Sequence, residues 1–203
     1  MPKTEEILNG LQAIVDNQSI IAIIWHIAFY FFIICLFINW RPSNKIMSIL
    51  ICLPLISVAV LAWSYGNPFN GTLFSILAMV IFIFALRTTG LQVSFSTWPF
   101  ILIGIIMIVF GFVYPHFIKA NSLFEYLYAS PVGLIPCPTL SILIGIVLLF
   151  NPLGSPVITL SFVVFGLFYG LFGVFKLGVT LDLFLLFGSI SLLVRHFLFN
   201  RAL

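Results

Sequence analysis

The sequence predicts an all-α fold, an integral membrane bundle of about seven transmembrane helices with an N-terminal amphipathic surface helix. Three observations carry that expectation. First, 63% of the 203 residues are hydrophobic, 24 of them Phe, and only 6% are charged, against roughly 45–50% apolar and about 25% charged in a soluble domain. The 8 Lys+Arg and 5 Asp+Glu cannot cover a solvated surface, which excludes a soluble catalytic domain, a disordered chain and a nucleic-acid binder. Second, seven apolar windows recur along the chain. Third, the segment ahead of the first window is amphipathic with helical spacing.

A spanning helix needs about 20 mostly apolar residues, because only a helix satisfies its own backbone in hydrocarbon. The windows are 19–39, 46–64, 71–86, 98–117, 137–150, 156–175 and 180–194. The fifth, at 14 residues, reaches about 21 Å of the roughly 30 Å core. Non-helical residues, here 133–136, must complete that crossing. Within 1–18, Ile7, Leu8, Leu11, Ile14 and Val15 share one face, with Glu5, Glu6, Asn9, Gln12 and Asp16 opposite. That predicts an interfacial helix capped by Thr4, with acids favoured in its first turn. Three acids and one lysine near the N-terminus do not resemble a cleaved leader. Residues 1–203 read as a single transmembrane domain, in which 119–136 forms a short interfacial helix and a turn at Ser130-Pro131.

Short cytoplasmic loops hold an excess of Lys and Arg. With the N-terminus outside and the C-terminus cytoplasmic, Arg41, Lys45, Arg87, Arg195 and Arg201 fall inside, and Lys3, Lys119 and Lys176 outside. The aromatics agree: Trp40 and Trp98 mark the inner boundary, and Trp63, Tyr65 and Tyr114 the outer one. On that topology the energetically costly residues gather outside: the Asn67-Pro68 loop, Tyr114-Pro115-His116, Glu125, Lys176 and Asp182.

The sharpest element is Pro136-Cys137-Pro138-Thr139. The prolines predict an extended approach with Pro138 opening the helix, where its missing amide is no loss. Cys137 then sits at a helix N-terminus, whose unpaired amides favour negative charge, so it is a candidate thiolate, metal ligand or redox group as well as a small core residue. His26 is either a buried core histidine or a ligand or proton carrier. His116 is an interfacial tip or a ligand. Asp182, inside the last span, needs a partner, and Lys176 across the Gly178 turn is one candidate. Gly166, Gly170 and Gly173 form a small-residue face for close packing, within one chain or between two. Cys35 and Cys52 read as lipid- or core-facing, with no disulfide framework.

By Pro136-Cys137-Pro138-Thr139, with Thr4 and Glu6 in the first helix, Asn67-Pro68 after the second span and Tyr114-Pro115 ending the fourth, the chain resembles an uncharacterised family of bacterial multi-pass membrane proteins, a domain of unknown function. It departs from that pattern with Leu140 in place of a second Thr, and with Ser64-Tyr65 in place of a Tyr-His. The resemblance implies the architecture and a bacterial inner membrane, and no activity.

The chain offers no His pair at i, i+4, no phosphate loop and no Ser-His-Asp set, which argues against an enzyme. Two expectations follow. One is small-solute or metal-ion handling at an outward-facing site of Cys137, His116, His26 and Asp182. A thiolate and an imidazole suit Cu(I) or Zn, with Cys137 and His116 as the ligands, and no other cofactor is called for. The other is a non-catalytic scaffold or accessory subunit docking a membrane-protein partner or a second copy of the chain. The lipid bilayer is the partner common to both, and no nucleic acid is expected.

Overall fold

A computed structural model describes residues 4–200 apart from 39, 89, 119–121 and 152–154. Its helices are α1 (Thr4–Asn17), α2 (Ser19–Phe37), α3 (Asn44–Ser64), α4 (Pro68–Leu86), α5 (Trp98–Phe112), the short α6 (Tyr126–Ala129), α7 (Pro136–Leu149), α8 (Pro156–Leu171) and α9 (Leu183–Asn200). Helix α8 continues as a π-helical segment, Phe172–Leu177, and a single 3-10 turn, Thr180–Asp182, leads into α9. Five stretches are long and apolar enough to cross a bilayer: α2, α3, α4, Pro156–Leu177 and Thr180–Leu198; α5 and α7 are shorter apolar helices. The protein is therefore a multi-pass membrane protein in composition and architecture, with five candidate spans and two shorter apolar helices.

Helix α2 shows how the surface is divided. Ile20, Ile24, Ile27, Phe31 and Ile34 are exposed, while Ala22, His26 and Phe29 turn inward at helical spacing. Exposed apolar surface on that scale is stable only against lipid. Helix α1 instead lies across one end of the bundle, with Leu11 and Ile14 buried in a satellite core with Tyr114, Phe117, Leu134 and Ile135. The Thr4 hydroxyl donates to the Lys176 carbonyl at 3.2 Å and ties α1 to the π-helical segment that follows α8.

Helix α7 is the centre of the molecule. Every one of its residues except Cys137 is buried, packed by α5, α9, α8 and α3. Its shortness is tolerated for that reason, since irregular backbone at membrane depth is acceptable where protein covers it. Residues flanking the helix are tied down at both ends. Beyond the C-terminus, Phe150–Asn151 pairs antiparallel with Ser94–Phe95, and the Ser96 amide donates to Leu149 O at 2.8 Å. Arg195 of α9 closes the same end: it is 4% exposed and its guanidinium donates to the carbonyls of Val147, Leu148 and Phe150 and to Ser96 Oγ. A charge read from the sequence only as a topology marker is thus the cap of the central helix.

At the N-terminus, the helix opens at Pro136, not Pro138. Both prolines fit because amides in the first turn have no intrahelical partner to lose. The preceding turn is fastened by Thr139, whose hydroxyl donates to Ile135 O at 2.7 Å and accepts from Gly133 N at 2.9 Å. Gly133 has φ +74, and a Cβ there would run into the Trp25 ring. Trp25 Nε1 donates to Ser57 Oγ at 2.9 Å, and that hydroxyl donates to Gly133 O at 2.7 Å. The fourth window also ends early, at Phe112 rather than residue 117, because Tyr114 leaves the helix to enter the core, where it is 1% exposed, instead of anchoring at an interface.

Replacing Arg195 with Met should orphan three buried carbonyls and cost roughly 3 kcal/mol or more. Arg195→Lys should recover only part of that: all four contacts come from the single nitrogen Nη1, and an ammonium on a shorter side chain must reach the same acceptors at a higher desolvation cost. Thermal unfolding of the purified protein reads both, and an unchanged midpoint for Arg195→Met would show that the helix end is satisfied in another way.

Candidate functional site

At the α1 end, three polar side chains from distant elements meet. Asp182 is 1% exposed; its Oδ1 accepts from the Tyr114 hydroxyl at 2.8 Å and its Oδ2 from the Cys137 thiol at 3.3 Å. An ionised carboxylate is acceptor-only, so two donors on its two oxygens are what its burial requires. The thiol acts as a donor to a carboxylate, which differs from the thiolate role suggested by its place at a helix start. Asp182's partners are Tyr114 and Cys137, not Lys176. Pairing by nearness in sequence fails here because the core reaches 68 residues back to Tyr114.

The backbone of the π-helical segment sets the carboxylate in place. Gly178, at φ +71, ends the segment with its N–H on Gly173 O, and Val179 N donates to the same oxygen at 2.9 Å. The reversal brings Asp182 against Gly173, where any Cβ would run into Asp182 Oδ2. A π-turn often marks a site of this kind. The small-residue face continues the packing within the chain: Cβ atoms at Gly166 and Gly170 would meet Ser189 and Leu186 of α9.

Beside the triad, Asn70 is 5% exposed and its Oδ1 accepts from the Tyr169 hydroxyl at 3.0 Å. Asn70 stands in the first turn of α4, which Asn67 caps by accepting Asn70 N at 3.1 Å and Pro68 opens. Cys137, Asn67, Asn70, Tyr169 and Gly173 line one cavity of about 480 Å³, covered by Glu6, Gly10 and Leu11 of α1 and bordered by Lys176. Most of the remaining wall is apolar, including Phe69, Phe117 and Phe172.

The other histidines lie elsewhere. His26 is buried against Phe112 and Tyr30, with Nδ1 2.8 Å from Ala22 O. His116 follows α5, exposed, with its ring on Phe117. Neither lines the cavity. Zinc or Cu(I) needs several donors within about 2.0–2.3 Å of one point, and among the described residues no three His, Cys, Asp or Glu side chains converge in that way. Cys52 is buried, its thiol 3.6 Å from Ala78 O. Cys35 lines an apolar groove between α2 and α3. Lys3, Lys119 and Arg201, used in the charge count, lie outside the described residues. Tyr169 and Asn70 were not singled out from the sequence, although both stand inside motifs that were: the Gly166–Gly170 face and the Asn67-Pro68 loop.

Comparisons with protein-family models, with curated proteins and with solved structures find no match. The family resemblance drawn from the Pro-Cys-Pro-Thr run therefore has no family model behind it. The class that fold and composition define is the multi-pass membrane protein.

Removing the Tyr114 hydroxyl with Tyr114→Phe should cost about 1–3 kcal/mol by leaving Asp182 a single donor. In an Asp182→Leu background the same change should cost far less, and that coupling is what a double-mutant cycle measures. Additive effects would break the link between the two residues.

Proposed function

We propose that the protein binds and handles a small organic solute in the cavity beneath α1, on the extracytoplasmic side of a bacterial inner membrane, and that it does so without catalysis. The observation that carries this reading is the partly exposed residue Cys137 in the wall of a cavity beneath α1, with the Tyr114–Asp182 pair behind it. A cavity of about 480 Å³ is of the size that holds small ligands, which runs from about 300 to 1,000 Å³. A metal ion is the weaker candidate because His116 is not among the residues lining the cavity. The docking alternative draws on polar groups spread over an exposed face, and of the four sequence candidates only His116 is exposed. The orientation, N-terminus outside and C-terminus in the cytoplasm, rests on the basic-residue count.

The reading makes two accessibility predictions. A charged, membrane-impermeant maleimide added from outside should label Cys137 and neither Cys35 nor Cys52, and reporter fusions at Ser155 and Leu203 should report cytoplasm. Gly10 lines the cavity with nothing within 4 Å of a Cβ placed on it. Gly10→Trp should therefore fill the space and slow Cys137 labelling by N-ethylmaleimide several-fold. Labelling that ignores Gly10→Trp would mean that Cys137 is reached by another route, and the solute reading would fall.

A further inference from the structure

We propose that the occupant of this cavity is a neutral amphiphile with a carbonyl head, an ester, amide, ketone or quinone, whose oxygen accepts from Asn70 Nδ2. This rests on the reading of the cavity as a solute site. Asn70 is nine-tenths buried and lines the cavity. Tyr169 occupies its Oδ1 and Asn67 takes its backbone N–H. Among the described residues no acceptor meets Nδ2, and Nδ2 is not one of the fully buried atoms left without a partner, so it retains exposed surface. A donor open to a mostly apolar chamber gains from a ligand oxygen.

Charge decides the rest of the head. Glu6 and Lys176 at the rim carry opposite signs, and the buried Asp182 stands directly behind the Cys137 thiol. A carboxylate ligand would be held against the field of Asp182. A cation would give up its hydration in a mostly apolar chamber that Asp182 does not line, where the only carboxylate among the lining residues, Glu6, is accompanied by Lys176. A neutral acceptor meets neither penalty. The apolar body follows from the walls, where Leu11, Phe69, Phe117, Ile135 and Phe172 surround the polar floor. One donor at the base of an apolar chamber is the usual arrangement for an oriented, mainly apolar ligand.

The test uses the full chain in lipid nanodiscs, with Cys35→Ala and Cys52→Ala leaving Cys137 as the only thiol. The rate of N-ethylmaleimide labelling is measured with 2-undecanone, undecane, decanoate or decyltrimethylammonium present. 2-Undecanone should reach half-protection at a concentration roughly fivefold lower than undecane, the worth of one net hydrogen bond; decanoate and decyltrimethylammonium should leave the rate near that of the free protein. Asn70→Asp keeps an acceptor for Tyr169 and removes the N–H donor, so it should abolish that difference. Equal protection by undecane, stronger protection by either charged amphiphile, or the same difference in Asn70→Asp would overturn the inference and leave the cavity reading standing. So would the absence of any protection while Gly10→Trp still slows labelling. If no amphiphile protects and Gly10→Trp has no effect either, both the inference and the solute reading fail.

Discussion

Helix α7 runs for 14 residues, about 21 Å, so it is too short to reach water at both faces of a roughly 30 Å hydrocarbon core. The protein finishes both ends itself. At the C-terminal end Arg195 donates to three carbonyls in succession, and at the N-terminal end Thr139, Ser57 and Trp25 hold the turn that feeds the helix. Burying a guanidinium is expensive, and several acceptors must converge to offset it. The other helices have to surround α7 for this to work. The arrangement of α5, α8 and α9 around it follows from the requirement that no part of a short helix face lipid with its backbone unpaired.

The same constraint places the site. Because the N-terminus of α7 is lodged inside the bundle, its second residue, Cys137, opens under α1 and comes within hydrogen-bonding distance of Asp182 at the start of the α9 pass. The prolines on either side of the thiol take up first-turn positions that would otherwise present unpaired amides. The helix start is thereby made less polar while the thiol is kept at a fixed place in the wall. Helix α1, packed on its own small core, supplies the roof.

Seven apolar helices and an amphipathic leading helix were legible because both rest on composition and spacing, which are local. The misplacements have two origins. Tyr114 leaves α5 for the core because a contact distant in sequence, with Asp182, overrides a local preference, whereas Pro136 rather than Pro138 opens α7 through the local hold of Thr139 on Ile135 O and Gly133 N. Cys137 was recognised for its place at a proline-flanked helix start and Asp182 for its place inside the last span, which is local information, but the tie between them, and Tyr114 as their third member, depends on packing. His26 and His116 carried the same local signal and are placed apart, because a histidine's suitability as a ligand says nothing about which neighbours the fold will bring to it. Asn70 and Tyr169 carried no signal of their own; each was visible only as part of a cap or a packing stripe.

That stripe shows how packing and site-building share residues. Gly166 and Gly170 let α9 approach α8 at distances no larger residue would permit, the ordinary use of small residues between membrane helices. At the third position, Gly173, the helix has already widened into its π-helical segment, and the absent side chain makes room for a carboxylate instead of a helix. Three glycines on one face therefore do two things, and the change from one to the other coincides with the change in helix geometry. A π-turn adds a residue without ending the helix, shifting the register of everything that follows. Here that shift precedes the Gly178 reversal that returns the chain to Gly173 O. The backbone irregularity and the buried acid are one feature: with a Cβ at 173, Asp182 could not occupy the place where Tyr114 and Cys137 both reach it.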